Sequence, residues 1–360
     1  MDFAVREGLL ADRPEADAES VDLVGCIVAP GLVDLHCDAI EKAVEPRPGV
    51  QFPLLFAIEG MDRRAASSGI TTIYHAISFA GQELGLRNPA QAMRLIEGIM
   101  YRRDSLHVRH RIHLRYETGD AGSMPLVMDL LERGGVDLLS FMDHTPGQGQ
   151  FLDDYSFIRY LMLTYGKTER EARHLLRVKR DGPGGGIPDR VQALAAAAKA
   201  RGVPLACHDL HDPMEALMWS NLGVGICEFP LTLESASAAH RLGMTTVFGS
   251  PNVVRGESSG TGMKALTGIR HKVADCICSD YVPEAILPAI ALLSSESGPL
   301  GLGGAFAMAT ANAAAAVGDS RIGTLCEGAY ADFLVLGRTC DGLSLRSVWA
   351  RGREVFRWGR

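Results

Sequence analysis

Short apolar runs recur along this chain, and five of them close on residues able to hold a metal ion. They are Leu35-His36-Cys37-Asp38, His113-Leu114-Arg115-Tyr116-Glu117, Phe141-Met142-Asp143-His144, Ala206-Cys207-His208-Asp209 and Cys278-Ser279-Asp280. Gly225-Ile226-Cys227-Glu228 reads as a sixth. One carboxylate or imidazole at the end of a buried strand says little. Repeated strand after strand, it is what a (β/α)8 barrel with a metal centre at its top face requires, because that face collects the C-terminal ends of all eight strands.

The candidate strands are residues 33–38, 71–77, 111–117, 137–143, 204–208, 224–229, 245–248 and 275–280. They are short, apolar and rich in β-branched residues, as strands buried on both faces are. Helical patterns lie between them. Asn88 caps one that runs to Arg103, with Pro89 in its first position, and others end at Gly202 and Gly243. This alternation implies right-handed crossovers and a parallel sheet. Eight repeats, with no GxGxxG after the first strand, favour a closed TIM barrel over an open dinucleotide-binding sheet.

A chain of 360 residues exceeds one barrel of about 250 and leaves roughly a hundred for accessory elements. We place the barrel at residues 31–318, with a charged helical insertion near 153–186 that ends in a glycine-rich run and follows the fourth strand. Residues 1–30 and 319–360 form a small β unit from both chain ends, with two strands in 322–336 and a hairpin in 347–356. A net charge of −7 argues against nucleic acid as a partner and leaves a small anionic substrate open. The eight cysteines have no framework spacing; Cys37, Cys207, Cys227, Cys276 and Cys278 read as small core residues. No signal pattern or membrane-length apolar run occurs, so a cytoplasmic, membrane-free protein is expected, with homo-oligomerisation left open.

His36 and Asp38 are two residues apart, and a strand presents them on one face. That suits two ligands to one divalent ion. His208 after strand five and Asp280 after strand eight converge on the same end of a barrel, and Glu117, His144 and Glu228 extend the ligand set. Mixed imidazole and carboxylate donors suit zinc first, with manganese or iron as alternatives, as one ion or two. Asp280 reads as both ligand and general base, toward a water whose pKa the ion lowers to about 7. Lys42, Arg47 and Arg255 are the candidate substrate-binding cations, Arg255 being followed by a run of small residues that lets backbone amides approach an oxyanion. Among the other histidines, His107 and His110 read as surface residues and His75 as support behind the site.

Two segments carry a family resemblance. Pro30-Gly31-Leu32-Val33-Asp34-Leu35-His36 is similar to the first barrel strand of the amidohydrolase superfamily. Gly323 to Leu336, with Ala331-Asp332-Phe333, resembles its C-terminal β signature. The usual HxH is HxD here, and residues 137–150 contain no lysine. Strand four therefore cannot supply the carbamylated lysine that bridges two metals in many members, and Glu117 or His144 must replace it, or one ion suffices. The first-strand region through Val50, Phe141 to Phe151, His208-Asp209, Glu228-Phe229-Pro230-Leu231-Thr232, Gly249 to Gly256 and Ser279-Asp280-Tyr281 together resemble a phosphonate-metabolism branch of that superfamily. The resemblance implies a hydrolase that converts α-D-ribose 1-methylphosphonate 5-triphosphate to the 5-phosphate and pyrophosphate. Hydrolysis or deamination at a C–N bond is the alternative within the superfamily, and a non-catalytic scaffold is the alternative outside enzymes.

Overall fold

In a computed structural model, the described residues are 3–47, 49–80, 88–143, 154–165, 167–180, 187–258, 262–339 and 342–358. The strands are β1 (Ala4–Arg6), β2 (Leu9–Ala11), β3 (Ile27–Pro30), β4 (Leu32–Cys37), β5 (Ile70–Phe79), β6 (Arg109–Glu117) and β7 (Leu138–Met142). They continue with β8 (Leu205–His208), β9 (Ile226–Glu228), β10 (Thr245–Gly249), β11 (Cys276–Cys278), β12 (Phe333–Thr339), β13 (Gly342–Ala350) and β14 (Arg353–Arg357).

Strands β4 to β11 pair in parallel, each with its sequence neighbour, in one eight-stranded sheet. The seam between β11 and β4 closes just past β11. The Asp38 N–H donates to the Asp280 carbonyl and the Asp280 N–H to the His36 carbonyl, both at 2.9 Å. The barrel expected from the alternation is therefore present, and its closure lies at the two residues that carry the HxD pattern and the candidate base. Small side chains such as Ala206 and Cys276 fill the lumen with Val33, Leu35, Tyr74 and Leu138, while a larger cluster packs the strands' outer faces on the helices. The cysteines expected in the core are buried there as free thiols.

Local signals set the helix starts. The Asn88 side chain accepts from the Ala90 N–H at 2.9 Å, with Pro89 opening the helix Pro89–Arg102. Thr232 and Ser235 form a reciprocal capping box at the start of Leu233–Arg241. Gly31 joins β3 to β4 where any Cβ would collide with the Thr71 side chain, so only glycine lets the chain pass. In the region of the expected insertion, the helices Asp154–Tyr165 and Glu169–Arg180 pack through Phe157, Ile158, Leu161, Ala172 and Leu176. No helix among the described residues is long and apolar enough to cross a membrane.

A second sheet has the antiparallel order β14-β13-β12-β3, and the β1–β2 hairpin bonds to its border through Leu10 N–H to Ala329 O at 2.8 Å. Both ends of the chain thus build the small β unit. The second strand expected within 322–336 is absent: residues 322–330 run through turns, fixed by contacts such as Tyr330 N–H to Arg321 O, and the strand begins at Phe333. The unit is clasped to the barrel by a buried ion pair from the first residue of β6, Arg109, to Asp332.

Two histidine readings are corrected. His110 and His75 are both buried, on the helix-facing side of β6 and β5. His75 Nε2 lies 2.7 Å from His110 Nδ1, and His110 Nε2 lies 3.2 Å from Asp62 of the helix Leu54–Ser67. Asp62 also accepts the His107 and Val108 N–H groups at 3.0 Å and faces His107 Nδ1 at 2.6 Å. Burial alone would raise the Asp62 carboxyl, but the bonds from His110, Val108 and His107 outweigh it and hold the group below its ordinary range. Asp62→Ala is expected to cost about 3 kcal/mol, since it strands several buried donors. A depressed folded-state pKa stabilises above the unfolded value near 4 and stops doing so as pH falls through the folded one. The wild-type advantage in chemical denaturation should therefore be full at pH 7 and shrink below pH 4; a pH-independent difference would contradict this account.

Candidate metal centre

The C-terminal ends of β4, β6, β7, β8 and β9 bring one compact group together. His36, His113 and Glu228 each place a donor atom within 4.8 Å of the other two, and all three are buried. His36 Nδ1 is 2.8 Å from Glu228 Oε1, and His113 Nε2 is 3.4 Å from Oε2. Ser140, from the fourth barrel strand, donates to Oε2 at 2.8 Å.

The tautomers follow from the partners. His113 Nδ1 lies 3.0 Å from the Leu35 carbonyl, so that nitrogen carries the proton and Nε2 presents a lone pair. That Nε2 is buried and makes no hydrogen bond, yet it faces an anionic oxygen. Two acceptors turned toward one another in a dry pocket are the arrangement a cation relieves, so these residues fit a divalent ion. Burial drives His36 down to about 3, which keeps its imidazole neutral and able to donate electrons.

His208 stands beside this trio, its ring centroid 5.5 Å from that of His36. The Arg115 guanidinium donates to its Nε2 at 3.1 Å, and Asp209 lies 3.0 Å from its Nδ1. Phe229 sets its ring edge-on at 4.9 Å from His36 and 5.1 Å from His208, shielding both from water. Asp209, Phe229 and Asp280, the residues just past β8, β9 and two past β11, all take left-handed backbone conformations, with φ of 57°, 50° and 55°. Such conformations cost non-glycine residues energy and gather where side chains must be aimed.

Asp280 sits on the barrel seam, and burial pushes its carboxyl up to about 8, Asp38 adding to the rise and Arg115 opposing it. Asp34, two residues before His36, is likewise raised to about 7 by burial, although it accepts the Ser279 N–H at 2.9 Å.

Of the residues singled out in the sequence, His36 and Glu228 meet directly, with His208, Asp38 and Asp280 around them. Glu117 is buried as the last residue of β6. His144 lies outside the described residues. Lys42, Arg47 and Arg255 are exposed, on the helix Ala39–Val44, in the loop after it and at the end of the helix Ser250–Arg255. None of the three belongs to the buried group. The cation that does belong is Arg115, 4% exposed, which the sequence reading passed over together with His113. Both stand at two-residue intervals before Glu117, and that spacing on a strand is the signal that identifies them.

The amidohydrolase family profile matches residues 167–355. The chain is 31% identical over 342 residues to the α-D-ribose 1-methylphosphonate 5-triphosphate diphosphatase of Escherichia coli (strain K12), covering 94% of this chain and 90% of that protein. A prolidase crystallised with N-methylphosphonate-L-proline aligns with a TM-score of 0.63 at 16% identity, covering 99% of this chain and 94% of the other. The dihydropyrimidinase of Brevibacillus agri NCHU1002 aligns at 0.59 and 11% identity, covering 99% and 91%. At such identities these two structures speak for the fold alone.

Proposed function

The chain belongs to the amidohydrolase family, and from that premise we propose that it hydrolyses a triphosphate of the ribose 1-methylphosphonate type, releasing pyrophosphate. Similarity to the diphosphatase supports the substrate class. The observation that carries the reading is Arg115. A guanidinium buried to this degree, bonded only to an imidazole among the described residues and with its Nε unbonded, is suited to an anionic substrate.

In this reading His36, His113 and Glu228 hold the divalent ion, zinc before manganese or iron. Glu228 would present one oxygen toward each imidazole, as it does in the structure. When bound, an ion would supply positive charge to acidify the attacking water and to offset the charge of the phosphoryl group. Asp280 takes the proton as water oxygen bonds to the α-phosphorus, the α–β bridging P–O bond breaks, and its electron pair leaves on pyrophosphate. Arg115 orients a non-bridging α-oxygen and stabilises the charge that grows there. Phe229 keeps bulk water from the imidazoles, and exposed Lys42, Arg47 and Arg255 meet the outer phosphates. His208 serves chiefly to anchor Arg115.

The test is hydrolysis of α-D-ribose 1-methylphosphonate 5-triphosphate by the metal-loaded enzyme, with product analysis. Pyrophosphate and the 5-phosphate in equal amounts are expected; orthophosphate as the first product, or turnover of a cyclic amide alone, defeats the proposal. Arg115→Gln should lower kcat/KM by about 10²-fold, the effect of deleting one transition-state donor, with metal content retained. A C–N hydrolase has no need of that guanidinium, and near-normal kinetics in the variant would remove it from the site.

A further inference from the structure

The arginine that clasps the small β unit is also part of a second concave feature. Arg109 and Arg115 lie on one strand, six residues or about 20 Å apart, so Arg109 is at the barrel face opposite the metal-binding group. A cavity of about 900 Å³ opens there, between the barrel, the β1–β2 turn and the β13–β14 turn. That volume suits a small organic ligand and far exceeds a bare ion. Arg103, Arg109, Arg111, Arg351 and Arg353 all line the cavity. Two lining carboxylates, Glu7 and Asp104, form no ion pair with them among the described residues.

Arg109 is the anchor. It is only 6% exposed, one of its terminal nitrogens donates to Asp332, and the other has no hydrogen-bond partner. Its guanidinium carbon rests 3.7 Å from the centre of the Tyr330 ring, which fixes its direction. A clasp alone explains the Asp332 bond but leaves the second nitrogen without a purpose. Arg351 shares this wall: its backbone N–H donates to Asp332 at 2.8 Å, and its like charge repels that of Arg109. Arg111 is committed to Asp137 at 3.1 Å, whereas Arg103 and Arg353 have no carboxylate partner among the described residues.

We propose that this basal cavity is a non-catalytic site for a phosphorylated small molecule. The phosphoryl oxygens lie against Arg103, Arg351 and Arg353 on the cavity wall, with the charge of the buried Arg109 behind them. Ligand there bridges barrel and β unit, so it binds the folded chain and raises its thermal midpoint. The site stands apart from the reaction proposed above and survives if that assignment fails.

The test uses calorimetric titration of full-length enzyme with two probes, ribose 5-phosphate and sodium pyrophosphate. Three other proteins are compared: Arg115→Gln, the double variant Arg103→Ser/Arg353→Ser, and Arg353→Glu alone in case the double variant does not fold. At least one probe should bind wild type and Arg115→Gln with similar affinity. In the basal variants its affinity should fall by about tenfold or more, as expected for lost charge-assisted bonds, while kcat stays unchanged. The tighter probe tells whether a sugar phosphate or a released inorganic anion is the better occupant. Absence of binding by both probes, loss of binding in Arg115→Gln, or unchanged affinity in the basal variants overturns the proposal.

Discussion

Glu228→Gln is expected to abolish metal binding while leaving the fold intact, and to lower turnover by roughly 10³-fold. The reasoning rests on shape and charge acting separately. A glutamine can keep its carbonyl oxygen on the His36 N–H, 2.8 Å away in the wild type, and turn its amide toward the bare nitrogen of His113. The neutral pocket then satisfies itself and no longer needs a cation. Losing the ion removes about 4 kcal/mol of transition-state stabilisation, which sets the kinetic magnitude. Elemental analysis with circular dichroism provides the measurement. Stoichiometric metal in the variant would show that Glu228 orients His36 without binding the ion, and His113→Ala would then be decisive.

Asp280→Asn should lower kcat by at least about 10²-fold with metal content retained, the usual loss when a general base is removed. A base must be unprotonated to act, so wild-type kcat/KM rises with pH through the Asp280 titration. Burial sets that group at about 8. A neighbouring divalent ion draws it downward, so the limb falls between the ordinary carboxylate value and about 8. The asparagine variant should lack this limb. Stability gives a second reading with its own sign. A folded-state pKa raised above the unfolded value means that the folded protein binds the extra proton, so the wild type loses stability as pH rises from about 4 to about 8. In chelator, the variant should therefore gain in relative thermal midpoint across that interval. A profile identical to wild type would place the base elsewhere, with Asp209 next to examine.

Much of this was legible in the chain itself. Strands buried on both faces announce themselves as apolar runs, and a barrel collects their ends, so His36 and Glu228 could be expected to converge before any coordinates. His113 and Arg115 are less legible, because an apolar run marks the last residue of β6 while the inward face extends back from it at two-residue intervals. Asp62 and His110 were harder. They meet across 48 positions, from a helix to a strand, and His110 stands between two arginines that make the segment read as surface. Phe229 falls within a segment that carries the resemblance, but its placement against His36 and His208 comes from a left-handed backbone that aims the ring. The missing strand within 322–330 has a similar cause: local turn bonds captured backbone groups that an extended run would have paired.

The Arg109–Asp332 clasp joins residues 223 positions apart, and β3, whose Pro30 pairs with Phe333, waits longer still for β12. On a ribosome adding about 5–20 residues per second, the arginine emerges roughly ten to forty-five seconds before its carboxylate. For that interval the nascent barrel carries an uncompensated cation at its base and an open edge on β3. Exposed edges and unpaired buried charges invite wrong partners. The order of synthesis thus makes the last thirty residues a latch on a domain otherwise ready to fold. A chain stalled before Asp332 would present its barrel to chaperones and proteases unlatched, with every residue of the metal-binding group already made.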